Sequence, residues 1–91
     1  MSRTGICGNE RDSDVLVTVD LDHQGVHVVL ESKLKKMFGA SMEKAVREAL
    51  TELAVENAAV TVKDFGALDF AIRARVKTAV KRARRGGEDK C

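Results

Sequence analysis

Apolar residues in this chain switch between two spacings, and that alternation limits the folds open to it. Val15-Leu16-Val17-Thr18-Val19-Asp20 is dense in β-branched residues. Val26-His27-Val28-Val29-Leu30-Glu31 puts Val26, Val28 and Leu30 on one face at a period of two. Both predict strands. Asp22-His23-Gln24-Gly25 between them is a turn signal, and the short gap predicts an antiparallel hairpin. Ala59-Val60-Thr61-Val62-Lys63 predicts a third strand. Elsewhere the spacing widens to three and four. Met42, Ala45, Val46, Ala49, Leu50 and Leu53 form one helical stripe, and Leu68, Ala71, Ile72, Val76, Ala79, Val80 and Ala83 form another. The order is ββαβα. It predicts a small single α+β domain, a three-stranded sheet with helices packed on one face.

Local signals set the boundaries. Ser32 is placed to cap a short helical turn through Phe38, with Leu34 and Met37 turned inward. Gly39 then breaks that turn, and Ser41 caps the long helix, which runs to about Val55. Lys63-Asp64-Phe65-Gly66 is a turn, and Gly86-Gly87 ends the last helix. Residues 1–14 are polar, contain Gly5, Gly8 and Asn9, and show no apolar period, which predicts a flexible N-terminal arm. The domain then spans 15–85, and 86–91 is a polar tail. With 91 residues, one domain buries only about 60–65% of its unfolded surface, so the core is small. There is no Trp or Tyr, and Phe38, Phe65 and Phe70 are the only large aromatic fillers. The core must be aliphatic.

Charge is uneven. From Leu68 onward there are eight basic residues and three acids; the remainder carries eight bases and eleven acids. A basic end suits nucleic acid, an anionic membrane or an acidic protein surface. Nucleic-acid recognition would want stacking aromatics or a known motif; there is no Tyr or Trp, and no helix-turn-helix spacing is evident. No stretch is long and apolar enough to span a membrane or serve as a signal peptide, so a cytoplasmic protein is expected. Cys7 and Cys91 lie near the two ends, with no metal-ligand spacing and no secreted disulfide framework; their redox state stays open. His23 and His27 are four apart, but across a turn this is not the helical metal-ligand spacing.

Two segments carry a family resemblance. Gly66-Ala67-Leu68-Asp69-Phe70-Ala71-Ile72-Arg73-Ala74-Arg75-Val76, preceded by Lys63-Asp64, resembles the D-x-G-A-L-D/E-x-x-L/I-R-A-R-V/L segment of the citrate lyase acyl carrier (gamma) subunit family. Cys7-Gly8-Asn9-Glu10-Arg11-Asp12-Ser13-Asp14-Val15 resembles that family's A-G-T-L-E-S-S/G-D-V, and Phe38-Gly39-Ala40 its Q-F-G. Malonate decarboxylase uses a related carrier. The resemblance covers nearly the whole chain.

It implies a non-catalytic subunit carrying acetyl and citryl groups as thioesters. The arm would be a covalently attached phosphoribosyl-dephospho-coenzyme A, 2'-(5''-phosphoribosyl)-3'-dephospho-CoA, and the cofactor would supply the chemistry while the protein supplies position. It also implies partners: the alpha (acyltransferase) and beta (citryl lyase) subunits and a prosthetic-group transferase.

Aligned on Gly8, Asp14 and Val15, the family's modified serine falls on Asp12, which has no hydroxyl. Ser13 is then the expected attachment residue, in a loop flanked by the like charges of Asp12 and Asp14. Arg73 and Arg75 are candidate contacts for phosphate or for a partner. Alternatively they are solvated helix residues, with Arg73 pairing to Asp69 at i, i+4. Two further readings stay open: a carrier-fold homologue that has lost the arm and acts as a structural or regulatory subunit, and a small basic nucleic-acid-binding domain.

Overall fold

The computed structural model describes residues 3–85. In chain order the elements are β1 (Thr4–Gly8), β2 (Val15–Asp20), β3 (Val26–Glu31), α1 (Lys35–Glu52), β4 (Ala58–Asp64) and α2 (Asp69–Arg84). The α+β class holds, with four strands in the order β1-β2-β4-β3. β1 and β4 each pair antiparallel with β2, while β3 pairs parallel with β4. Residues 86–91, the expected tail, lie outside the described residues.

The extra strand comes from the expected arm. Thr4-Gly5-Ile6-Cys7-Gly8 carries two glycines, so its own β-propensity is low. Tertiary contacts override it. Gly5 and Cys7 pair with Val19 and Val17, and Gly5 lets α2 sit directly on the strand. A β-carbon at Gly5 would overlap the Ala79 carbonyl and crowd the Ala83 amide nitrogen. Small residues on both elements permit that approach.

The expected β2–β3 hairpin does not form, because β4 lies between the two strands. Each strand's share of burial explains its seat. Val15, Val17 and Val19 of β2 and Ala58, Val60 and Val62 of β4 are almost wholly buried, whereas only Leu30 of β3 is. β3, with His27, Val29 and Glu31 exposed, takes the edge. It reaches β4 through α1, a βαβ connection, which makes that pair parallel.

Helix α1 is also one piece, running through Gly39. A mid-helix glycine costs only about 1 kcal/mol, and the buried stripe of Met42, Ala45, Val46, Ala49 and Leu50 outweighs it. Ser41 does not cap the helix; its hydroxyl donates to Asp69 Oδ2 at 2.7 Å. Ser32 accepts from the Leu34 amide instead, in the turn before the helix. The helix ends in a Schellman motif, with Val55 N–H donating to Leu50 O, Ala54 N–H to Thr51 O, and Ala54 left-handed at φ 55°.

Both helices pack on one sheet face around an aliphatic core. No phenylalanine belongs to it: Phe38, Phe65 and Phe70 are all exposed. Leu34, Met37 and Leu68, expected inside, are exposed as well. The helices run parallel, as the Ser41–Asp69, Glu48–Arg73 and Glu52–Lys77 contacts show.

Candidate functional site

The direction of the strands places the site. β1, β3 and β4 all end at one edge of the molecule, where β2, α1 and α2 all begin. The loop over residues 9–14, the turn before α1 and the turn over residues 65–68 therefore share that end.

The 9–14 loop closes the β1–β2 hairpin. Asn9 N–H donates to Val15 O at 3.1 Å, and Asp14 N–H to Arg11 O at 3.0 Å. Two backbone bonds then extend the β2–β4 ladder past its end: Phe65 N–H to Asp14 O at 2.9 Å and Ser13 N–H to Phe65 O at 2.7 Å. Ser13 is left-handed at φ 65°, a conformation that costs a non-glycine residue about 1 kcal/mol. Its backbone is pinned from both sides while its side chain is exposed. Gly66 packs under it at φ 101°, a region L side chains rarely adopt.

Asp14 organises the loop. Its Oδ1 accepts from the Val15 amide at 2.8 Å and its Oδ2 from Asn9 Nδ2 at 3.1 Å. Arg75 Nη2 lies 3.3 Å from both carboxylate oxygens. These donors hold the Asp14 carboxyl below the usual aspartate range, the Val15 N–H first, then Asn9, with Arg75 adding to them. Arg75 also donates to Cys7 Sγ at 3.7 Å. Below the loop, nearly buried Asp64 accepts from Ser32 Oγ and from the Ala67 N–H, both at 2.9 Å. A cleft beside Ser13 is lined by Asp12, Lys33, Leu34, Lys63 and Phe65, among others.

A family model described as "ACP: Malonate decarboxylase delta subunit (MdcD)" matches residues 2–83. The chain belongs to this acyl carrier family. A Halothermothrix orenii protein named citrate lyase acyl carrier protein is 35% identical over 89 residues, covering 98% of this chain and 95% of that one. A namesake from Streptococcus mutans is 44% identical over 84 residues, covering 91% and 82%. One from Escherichia fergusonii is 43% identical over 82 residues, covering 89% and 84%. A chain in a crystal structure titled as a Pseudomonas malonate decarboxylase hetero-tetramer in complex with malonate shares the fold. Its TM-score is 0.60 at 17% identity, covering 88% of this chain and 82% of that chain.

Within this carrier fold the four residues singled out from sequence separate. Asp12 and Ser13 sit side by side on the exposed loop. Arg75 reaches the loop from α2 but is engaged with Asp14 and Cys7. Arg73 lies on another side of α2 and pairs with Glu48 at 3.7 Å, not with Asp69, whose carboxylate takes the Ser41 hydroxyl. The like charge expected around Ser13 is partly offset, since Arg75 pairs with the Asp14 carboxylate at 3.3 Å, while that of Asp12 stays beside Ser13.

Sequence reasoning missed Asn9, Asp14 and Asp64 as organisers. Asp64 had a local signal, a turn aspartate followed by Phe-Gly. The Asp14–Arg75 pair had none, being 61 residues apart. The basic run on α2 is mostly spent within the fold: Arg82 Nη1 donates to Ile6 O, Arg84 Nη2 to Leu53 O, and Lys77 pairs with Glu52. Among the described residues, no helix is long and apolar enough to cross a membrane, and no cluster of His, Cys, Asp or Glu could hold a metal ion.

Proposed function

We propose that this chain is the acyl carrier subunit of a citrate lyase-type complex, non-catalytic and cytoplasmic. The attachment point would be Ser13, for a phosphoribosyl-dephospho-coenzyme A arm. The observation that carries the assignment is the Ser13 hydroxyl itself. It is the one hydroxyl between Gly8 and Val15, it is exposed, and its backbone is held by the 2.7 Å bond to Phe65 O. When attached, the arm supplies a thiol whose thioester activates an acyl group more than an oxygen ester would. The chain's own residues supply placement. Asp14, Asn9 and Arg75 fix the loop, and the exposed side chain leaves an attached group free to swing. Tethering raises the effective concentration of the acyl group at each partner's active site. The partners would be the alpha and beta subunits, which exchange and cleave the acyl group, and a transferase that loads the arm. Identities of 35–44% to proteins named for citrate lyase favour citryl over malonyl as the cargo.

Intact mass of the protein purified from its own host, with the partner enzymes present, tests this. The expected mass exceeds the bare chain by one arm, with the addition mapped to Ser13 and absent from Ser13→Ala. A bare-chain mass would instead support a second reading, a carrier-fold subunit that has lost the arm. Asp12 favours that reading, since it occupies the position where the family's modified serine aligns.

A further inference from the structure

Among the described residues, six of the eight exposed large apolar side chains gather at the loop end of the molecule: Leu34, Met37, Phe38, Phe65, Leu68 and Phe70. Met37 is 76% exposed, and Leu68 and Phe70 are 65%. All three of the chain's aromatic residues are among them. The Ser41–Asp69 bond ties the starts of the two helices together, and Leu34 and Phe65 share the cleft beside Ser13. The side chains therefore belong to one end rather than being scattered. A small domain with an aliphatic core has every reason to bury its phenylalanines, and a patch of this kind marks an interaction site.

Charge says what kind of partner fits. Lys33, Lys35 and Lys36 interleave the apolar residues, and no acid occurs between Ser32 and Met42. None of the three lysines has an ion pair among the described residues. Lys35 and Lys36 also occupy the first turn of α1, which has no acid and no side-chain cap. Cations there oppose the helix dipole, so the arrangement costs the isolated chain stability. Acids from another molecule would offset that cost. A second copy of this chain would bring lysines against lysines.

We propose that this end is the docking face for a partner subunit, one presenting an apolar patch rimmed by carboxylates around its active-site entrance. The assignment rests on the carrier reading above, because the Ser13 loop lies at the same end and docking there delivers an attached group directly.

Titration calorimetry tests it, using the full chain without its arm against the purified alpha and beta subunits of the host's own citrate lyase-type complex. The Met37→Ser/Phe70→Ser variant should bind at least about tenfold more weakly. Lys35→Glu/Lys36→Glu should also weaken binding and flatten its salt dependence. Val29→Ser, exposed on β3 outside the patch, should bind like wild type. All these positions are exposed, and unchanged thermal melts verify folding. Wild-type binding left unaltered by the patch variants overturns the docking face while leaving the carrier reading intact. No binding by wild type to either subunit overturns both. A wild-type dimer in sedimentation that Met37→Ser/Phe70→Ser dissociates, or patch-dependent capture by phosphatidylserine vesicles, overturns the assignment to a partner subunit.

Discussion

Replacing Asp14 by asparagine isolates the charge that holds the Ser13 loop. The carboxylate accepts the Val15 N–H at 2.8 Å and Asn9 Nδ2 at 3.1 Å, and lies 3.3 Å from Arg75 Nη2 through each oxygen. Bonds to a charged acceptor contribute about 1.5–3 kcal/mol each when buried. Here the Arg75 and Asp14 side chains are 31% and 21% exposed, so the arginine contribution falls to about 0.5–1 kcal/mol. Asparagine keeps an oxygen for Val15 but sets an NH2 against the donors of Asn9 or Arg75. The expected loss at neutral pH is about 2 kcal/mol, a sizeable part of the roughly 5–14 kcal/mol a domain of this length has.

The pH dependence carries the sharper test. The folded carboxyl of Asp14 is held below its ordinary range, chiefly by the Val15 N–H. Its stabilisation is therefore complete above the unfolded pKa and is lost as pH falls through the lower, folded value. Urea midpoints should show the full wild-type advantage over Asp14→Asn near neutrality and a much smaller one at about pH 2.5. A gap of constant size across that range would show that the carboxylate charge is not its source. A double-mutant cycle with Arg75→Met should give a coupling of about 0.5–1 kcal/mol; zero coupling would remove Arg75 from the account.

Three further substitutions read other parts of the fold. Gly5→Ala should cost about 3 kcal/mol or more in urea denaturation, because the new methyl overlaps the α2 backbone at Ala79. Ala54→Gly should raise stability by about 0.5–1 kcal/mol, since Ala54 ends α1 at φ 55°; a lower melting temperature would contradict the strain assigned there. Arg73→Ala should change stability by less than about 0.5 kcal/mol, its pair with Glu48 being long and exposed.

The period of the apolar residues sufficed to locate the buried stripes. Val15, Val17 and Val19, the inner face of α1 from Met42 to Leu50, and Ile72 to Ala83 on α2 are all buried as their spacing predicts. Pairing was another matter. Nothing within 15–31 announces that β4 will separate β2 from β3, because that choice depends on which strands need burial on both flanks. β1 was hidden for a related reason. Its glycines lower strand propensity, yet Gly5 exists for the helix that packs on it. In the loop, Ser13 was legible as the only hydroxyl. Its left-handed backbone and the Arg75 support were not, since both depend on partners 52 or more residues away.

Where the local rules of sequence failed is itself informative. Leu34, Met37 and Leu68 sit in apolar stripes and yet are exposed. Lysines occupy the wrong end of α1, and Ser13 takes a backbone conformation better suited to glycine. All of these departures lie at the end where three strands finish and both helices begin. Ala54, left-handed at the far end of α1, and glycine-bearing β1 are departures elsewhere, whereas α2 has Asp69 in its first turn and Lys81, Arg82 and Arg84 in its last, as its dipole favours. A chain under selection only for folding would have no cause to gather exposed apolar groups, cations at a helix start and a left-handed serine at one end, and such conflicts are expected where function opposes stability. A loop whose backbone is fixed and whose hydroxyl is free, ringed by unpaired apolar and cationic groups, is what a carrier needs. It must offer a tethered group to an active site on another subunit.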